Sequence, residues 1–172
     1  MRKFEKVSRI AGDIKLPERS TRNSAGYDFF AIEDTVIPTV KTKFVRHGFM
    51  PYSNDLDIEL QICAEPTVIK TGVKVTMPED EFLMLANRSS NPIKKNLILA
   101  NGVGIIDSDY YSNPNNDGEM MFPFYNIGES PVTIKKGDKI GQGIFIKFGI
   151  TDDDNANGER KRWVWFHRCL KN

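Results

Sequence analysis

Hydrophobic residues occur along this chain in short runs that are separated by clusters of Gly, Pro, Asn and Asp. The runs are rich in β-branched and aromatic residues, and they lie at residues 39–45, 57–63, 68–76, 82–86, 96–106, 119–125 and 132–134. Such segments are typical of β-strands. No stretch has a sustained helical period. The pattern therefore predicts an all-β fold with little helix, either an antiparallel sandwich such as a jelly roll or a barrel.

The pattern changes abruptly at residue 151. Residues 152–158 are polar and acidic and have nothing to bury, which is typical of a flexible arm. A length of 172 residues fits one ordinary domain. We therefore predict a β domain over residues 1–150 and a C-terminal arm over residues 151–172.

The overall charge limits the classes of partner. Lys and Arg number 24 against 23 Asp and Glu, which leaves a formal net charge of +1. With so little net charge, no long-range electrostatic attraction draws the chain to nucleic acid or to an anionic membrane. An anionic ligand must therefore be bound by a local group of side chains. The apolar runs are far shorter than the roughly 20 residues of a membrane span, and the N-terminus lacks a signal-peptide core. We expect a protein of the cytoplasm, in a bacterial or phage-infected cell.

Two short segments could form parts of a binding site, and the second of them has donors that suit a phosphate. Residues 24–28 (Ser-Ala-Gly-Tyr-Asp) combine small residues with a carboxylate, Asp28, although a plain turn entering a strand explains them as well. Arg88 follows an apolar run and precedes Ser89 and Ser90. A guanidinium and two hydroxyls suit phosphate oxygens, and the alternative is a polar surface loop.

A third segment, residues 101–110, has groups that suit a nucleoside. The amide of Asn101 offers a donor and an acceptor that match the edge of a uracil-like base. Asp107 follows two apolar residues, so its carboxylate is expected to be partly desolvated at a strand end, where it can orient a water. Tyr110 offers a flat face for a sugar. The alternative is a β-hairpin with Asn-Gly at its turn.

A fourth segment, residues 137–142, begins with Gly-Asp, which is typical of a hairpin corner. The amide of Gln142 could donate to a phosphate from the strand that follows. On its own, this segment is better explained as a simple turn.

These four segments, in this order, resemble the motifs of the trimeric dUTP pyrophosphatases (dUTPases), over about residues 16–145. The resemblance implies a distorted jelly-roll, or β-clip, subunit and a homotrimer with active sites shared between subunits. It implies hydrolysis of dUTP to dUMP and pyrophosphate with Mg²⁺, which keeps dUTP low and supplies dUMP for dTMP synthesis. A monomer would be inactive.

The resemblance also implies roles for individual residues. Asp107 would activate the water that attacks the α-phosphorus. The amide of Asn101 and the nearby backbone, including Gly104 and Ile106, would read uracil. Tyr110 would lie against the deoxyribose and exclude a 2′-hydroxyl.

The remaining roles concern the triphosphate. The groups that would hold it are Arg88, Ser89, Ser90 and Gln142. Asp28 would contact the metal through water, because Mg²⁺ keeps several waters and is bound mainly by substrate phosphates.

Three features depart from the family pattern. Lys139 stands where Arg is common, which replaces a two-pronged donor by a point charge. A Gly is common two places after the tyrosine that corresponds to Tyr110, and this chain has Ser112 there. The polar loop over residues 112–118 resembles an insertion.

The arm itself is a further departure. The family ends in a glycine-rich arm similar to Gly-Gly-Phe-Gly-Ser-Thr-Gly, which wraps the β- and γ-phosphates, whereas residues 162–169 read Arg-Trp-Val-Trp-Phe-His-Arg-Cys. One permitted coding of residues 161–169 is AAA AGG TGG GTT TGG TTC CAC AGG TGT. Removing one A yields Lys-Gly-Gly-Phe-Gly-Ser-Thr-Gly. We therefore hypothesise that residues 162–172 are an out-of-frame replacement of the glycine-rich motif, which would impair turnover.

Two other functions remain open at this point. A dCTP deaminase-like enzyme would share the fold and the Arg-Ser-Ser element, but it needs a further carboxylate at the cytosine amino group. A catalytically weak module that binds dUTP or a partner protein would also have these motifs.

Overall fold

The computed structural model describes residues 1–49, 56–63 and 65–158. These residues form strands, one short α-helix and one 3-10 turn. The strands are β1 (Lys3–Lys6), β2 (Tyr27–Phe30), β3 (Thr35–Ile37), β4 (Lys41–Phe49), β5 (Leu56–Cys63), β6 (Thr67–Lys70), β7 (Val73–Thr76), β8 (Glu81–Asn87), β9 (Leu97–Leu99), β10 (Gly104–Asp107), β11 (Met121–Asn126), β12 (Val132–Ile134) and β13 (Lys139–Lys147). The helix α1 spans Ser90–Lys95, and the 3-10 turn spans Ser108–Tyr110. The all-β prediction is confirmed.

Two antiparallel sheets supply most of the core. One has the strand order β10-β8-β13-β2, and the other has the order β6-β11-β9. Smaller sheets pair β1 with β7, β3 with β12 and β4 with β5. Phe29 of the first sheet and Phe122 of the second are fully buried, and their ring centroids lie 5.5 Å apart. The inner faces of the two sheets therefore meet in one apolar core, as in a jelly roll.

Burial alternates along the central strands, although their sequences are continuous apolar runs. Leu83 and Leu85 of β8 point into the core, and Met84 between them is only half-buried. Phe122 and Phe124 of β11 do the same. This period of two is what a strand with one buried face requires.

Two of the predicted strands are each divided in the structure. The predicted strand over residues 68–76 breaks at Thr71, whose hydroxyl donates to the carbonyl of Met120 at 2.6 Å, so β6 and β7 join different sheets. The predicted strand over residues 96–106 breaks at residues 100–103. The resulting β9 and β10 also lie in different sheets, so they do not form the hairpin that was the alternative interpretation.

Strands β1 and β3 and helix α1 were not predicted. Strands β2 and β13 were expected only as strands that follow the turns of the first and fourth segments, without bounds. The glycines of β13 resemble turn residues. Gly141 lies so close to the Phe122 ring that any Cβ would overlap it. Residues 151–158 are exposed and lack strand and helix, whereas the suspected out-of-frame residues 162–172 lie outside the described residues.

Candidate active site

The register of β13 brings three distant sequence segments together. β13 lies between β2 and β8, and it sets Gln142 opposite Asp28 on one side and opposite Ala86 on the other. β8 ends at Asn87, so the chain leaves the sheet at Arg88, beside Gln142. Strand pairing thus places residues from the first, second and fourth candidate segments at one point.

A cleft of about 240 Å³ opens at this point. It is lined by Ser20, Ser24, Gly26, Asp28, Arg88, Ser89 and Gln142. The structure therefore brings together Asp28 and three of the four predicted phosphate-binding residues. The fourth, Ser90, is the first residue of α1 and is not part of the lining.

Gly26 makes room for the Gln142 side chain. A Cβ at residue 26 would lie 2.5 Å from Gln142 Oε1, which is closer than nonbonded heavy atoms approach. The small residues of the first segment therefore have a specific use, because they let an amide from β13 reach the cleft.

Asp28 is a fixed carboxylate in a cationic setting. Lys139 Nζ and Ser20 Oγ each donate to Asp28 Oδ2 at 2.6 Å, and Arg88 Nε lies 3.4 Å from Oδ1. Burial opposes the charged form, but these donors outweigh it and hold the pKa of Asp28 below its ordinary value. Asp28 is therefore ionised at neutral pH. Sequence reasoning missed Ser20, which no local pattern distinguishes from other serines.

The turn that carries Arg88 is anchored by a buried amide. Asn91 Nδ2 donates to Asn87 Oδ1 and to the carbonyl of Ile140, both at 2.8 Å. Asn87 Nδ2 in turn donates to the carbonyl of Leu97 at 2.9 Å. Sequence reasoning missed Asn91, because its partners come from strands that are distant in the chain.

The third candidate segment forms a separate group around β10. Asp107 is the last residue of β10, and its side chain is exposed in the single chain, so the expected desolvation is not present there. Tyr110 is half-buried, and its Oη accepts a hydrogen bond from Asn116 Nδ2 at 2.7 Å. Asn101 lies in the turn before β10, and Gly104 and Ile106 lie in that strand.

One chain does not bring the two groups together. Asp107 pairs with Phe82 at the opposite end of β8 from Arg88. At about 3.3 Å per residue along a strand, the backbones of Asp107 and Arg88 are separated by about 20 Å. That distance exceeds the combined reach of their side chains. None of Asn101, Asp107 and Tyr110 lines the cleft.

Other features of the described part of the chain are less relevant. A larger cavity of about 350 Å³, lined in part by Thr39, Glu65 and Tyr125, contains none of the predicted site residues. Among the residues that the structure describes, no group of three or more His, Cys, Asp or Glu could hold a metal ion. No helix within the described ranges has the length and apolar character needed to cross a membrane.

The chain is similar to known proteins over most of its length. The deoxyuridine 5′-triphosphate nucleotidohydrolase of Lactococcus lactis subsp. lactis is 37% identical over 163 residues, which cover 94% of this chain and 93% of that protein. The crystal structure of the dUTPase from Streptococcus mutans superposes with a TM-score of 0.68 and 34% identity, and it covers 87% of this chain and 98% of the other.

A more distant relative shares the fold alone. This is the dUTPase of phage phi11 of S. aureus, whose structure reveals the coordination of a structural Mg(II) ion. It has a TM-score of 0.62 and 18% identity, with coverage of 94% and 99%. The family model named dUTPase matches residues 52–160 of the present sequence. With 37% identity to the Lactococcus protein over most of both chains, this match establishes that the chain belongs to the dUTPase family.

Proposed function

We propose that this protein hydrolyses dUTP to dUMP and pyrophosphate at sites that are shared between the subunits of a homotrimer. Membership of the dUTPase family supports the reaction. The observation that carries the shared site is the separation of the two residue groups. The cleft around Arg88 and the group around Asp107 each offer half of the required chemistry, yet about 20 Å separates the backbones of Arg88 and Asp107 in one chain.

A homotrimer with closed symmetry can bring the two groups together from different copies. In a cyclic trimer each cleft can receive the β10 segment of a neighbouring copy, and all three sites are then equivalent. The cleft of one subunit would hold the triphosphate through Arg88, Ser89, Ser90 and Gln142. The neighbour would supply the amide of Asn101 and the backbone of residues 104–106 for uracil.

The reaction is an in-line displacement at phosphorus. Asp107 accepts a proton from a water, and the oxygen of that water bonds to the α-phosphorus. The bond from the α-phosphorus to the bridging oxygen breaks at the same time, and its electron pair leaves with pyrophosphate. Little covalent chemistry falls to the protein, so its contribution is positioning and charge stabilisation. Tyr110 would lie against the deoxyribose.

The cleft fits a Mg²⁺ ion that is held mainly by the substrate. Asp28 is ionised, but its Oδ2 already accepts from Lys139 and Ser20, so contact through a water suits it better than direct ligation. When bound, Mg²⁺ neutralises charge on the phosphates and fixes their geometry. The neighbouring Arg88 and Lys139 add positive charge from the protein.

The C-terminal arm of this chain is proposed to limit turnover. The family match ends at residue 160, just before the position of the suspected frame change at Lys161. Residues 162–172 lack the glycines that would wrap the β- and γ-phosphates. Nucleotide binding should survive through the cleft, whereas closure around the triphosphate should not.

Restoring the arm tests this proposal. Residues 162–168 are replaced by Gly-Gly-Phe-Gly-Ser-Thr-Gly, and pyrophosphate release from dUTP with Mg²⁺ is compared for the two tails. We expect at least a tenfold gain, roughly the scale of a lost positioning contact. Equal rates would refute the role of the arm. Tight dUTP binding without turnover in both proteins would instead indicate a binding module, and ammonia release from dCTP would indicate a deaminase.

A further inference from the structure

The loop over residues 112–118 ends against a residue of the proposed site. Asn116 Nδ2 donates to Tyr110 Oη at 2.7 Å and to the carbonyl of Glu119 at 3.0 Å, while Gly118 N donates to Asn116 Oδ1 at 3.1 Å. A backbone carbonyl can only accept and a backbone N–H can only donate, so these two bonds fix the orientation of the amide. The NH₂ group must therefore face the phenol.

Asn116 is itself held by the N-terminal segment. Arg9 Nη1 donates to the carbonyl of Asn116 at 2.9 Å, and the same guanidinium forms an ion pair with Glu119. The Glu119 side chain is fully buried and also accepts from Gly72 N at 2.8 Å. The ion pair between Arg9 and Glu119 is charge-assisted and partly buried, so it is stronger than a neutral surface hydrogen bond. Asn116 is thus a fixed point.

The following residue fixes the loop a second time. Asp117 Oδ2 accepts from Ser8 N at 2.6 Å and from Ser8 Oγ at 2.8 Å, and Lys74 Nζ donates to Asp117 Oδ1 at 2.8 Å. The loop is therefore attached to β7 and to the residues after β1. These contacts restrict the movement of the loop, so the Asn116 amide cannot shift together with the Tyr110 ring.

We propose that Asn116 is a positioning residue that holds the Tyr110 ring and so helps to set the preference for deoxyribose over ribose. The inference rests on the proposed function, in which Tyr110 lies against the deoxyribose. A hydrogen bond at the tip of a phenol restrains the tilt of the whole ring. A ring without that restraint can move aside for a 2′-hydroxyl, which relaxes sugar selection while the phosphate contacts of the cleft stay intact.

The test measures the affinities of the full chain for dUMP and UMP by calorimetry. Binding avoids any dependence on the altered arm. In Asn116→Ala the ratio of the affinity for dUMP to the affinity for UMP should fall about 3- to 10-fold, the usual range for one net hydrogen bond. Tyr110→Phe should have the same effect, and the double variant should show no further loss because both changes break one bond. Asn115→Ala, an exposed position in the same loop, is the matched control and should keep the ratio.

The outcomes are distinct. Equal weakening of both nucleotides in Asn116→Ala, or an additive double variant, would overturn the positioning role. Arg88→Gln calibrates the assay, since loss of a phosphate contact should weaken both ligands alike. If Asn116→Ala does not fold, Tyr110→Phe decides the question, because it removes only a hydroxyl. A native chain that binds neither nucleotide would contradict the proposed function itself.

Discussion

Asp117 is the residue whose ionisation contributes most clearly to the local structure. The ammonium of Lys74, followed by the backbone and side-chain donors of Ser8, lowers the pKa of Asp117 to about 2, against an ordinary value of 3.8. A carboxyl whose pKa is depressed by folding stabilises the folded state above its unfolded pKa. This stabilisation is lost as the pH falls through the folded pKa.

We therefore predict that Asp117→Asn lowers the free energy of unfolding at pH 7 by about 1–2 kcal/mol, and that the difference fades between about pH 4 and pH 2. Urea unfolding at several pH values measures this difference in the free energy of unfolding. Asp34→Asn is the control, because its ion pair with Lys135 is exposed and should matter less. If the difference in the free energy of unfolding stayed constant down to pH 2, the stabilising role of ionised Asp117 would be contradicted.

At the scale of the elements, two glycines that both lack room for a Cβ have different structural roles. A Cβ at residue 26 would meet only the Gln142 side chain, and the atom nearest to it, Oε1 at 2.5 Å, belongs to the flexible end that can swing away. A Cβ at residue 141, in β13, would overlap the ring of Phe122, which is fully buried and cannot move. One glycine therefore serves the cleft, and the other serves the packing between the sheets.

Gly26→Ala should weaken dUMP binding several-fold with little change in the midpoint of urea unfolding, because it displaces Gln142 from the cleft. Gly141→Ala should lower the free energy of unfolding by about 1–3 kcal/mol or more, as overpacking of a core does. Calorimetry and urea unfolding on both variants separate the two effects. If Gly26→Ala instead lost stability and Gly141→Ala lost only binding, the different roles of the two glycines would be refuted.

The same elements show what the sequence could and could not predict. Strands β8 and β11 were predictable because each is a short run of apolar residues bounded by turn-forming residues. The bounds of β13 were not, since its glycines resemble turn residues until Phe122 is placed against them. The candidate segments were visible as local motifs. Their grouping depended on the registers of β2, β8 and β13, which are long-range pairings that no local pattern specifies.

For the whole molecule, the central claim is that an active site needs two copies of the chain. Asp28, Arg88 and Gln142 line the cleft of one copy, and Asp107 lies at the far end of β8.

Mixed trimers measure this claim most directly. Arg88→Gln and Asp107→Asn, each with the glycine-rich arm restored, should be nearly inactive alone. When they are co-expressed and assembled together, about a quarter of the sites would combine an intact Arg88 from one copy with an intact Asp107 from its neighbour. We predict that pyrophosphate release from dUTP recovers to about that fraction of the unmodified rate. No recovery in verified mixed trimers would contradict the shared site.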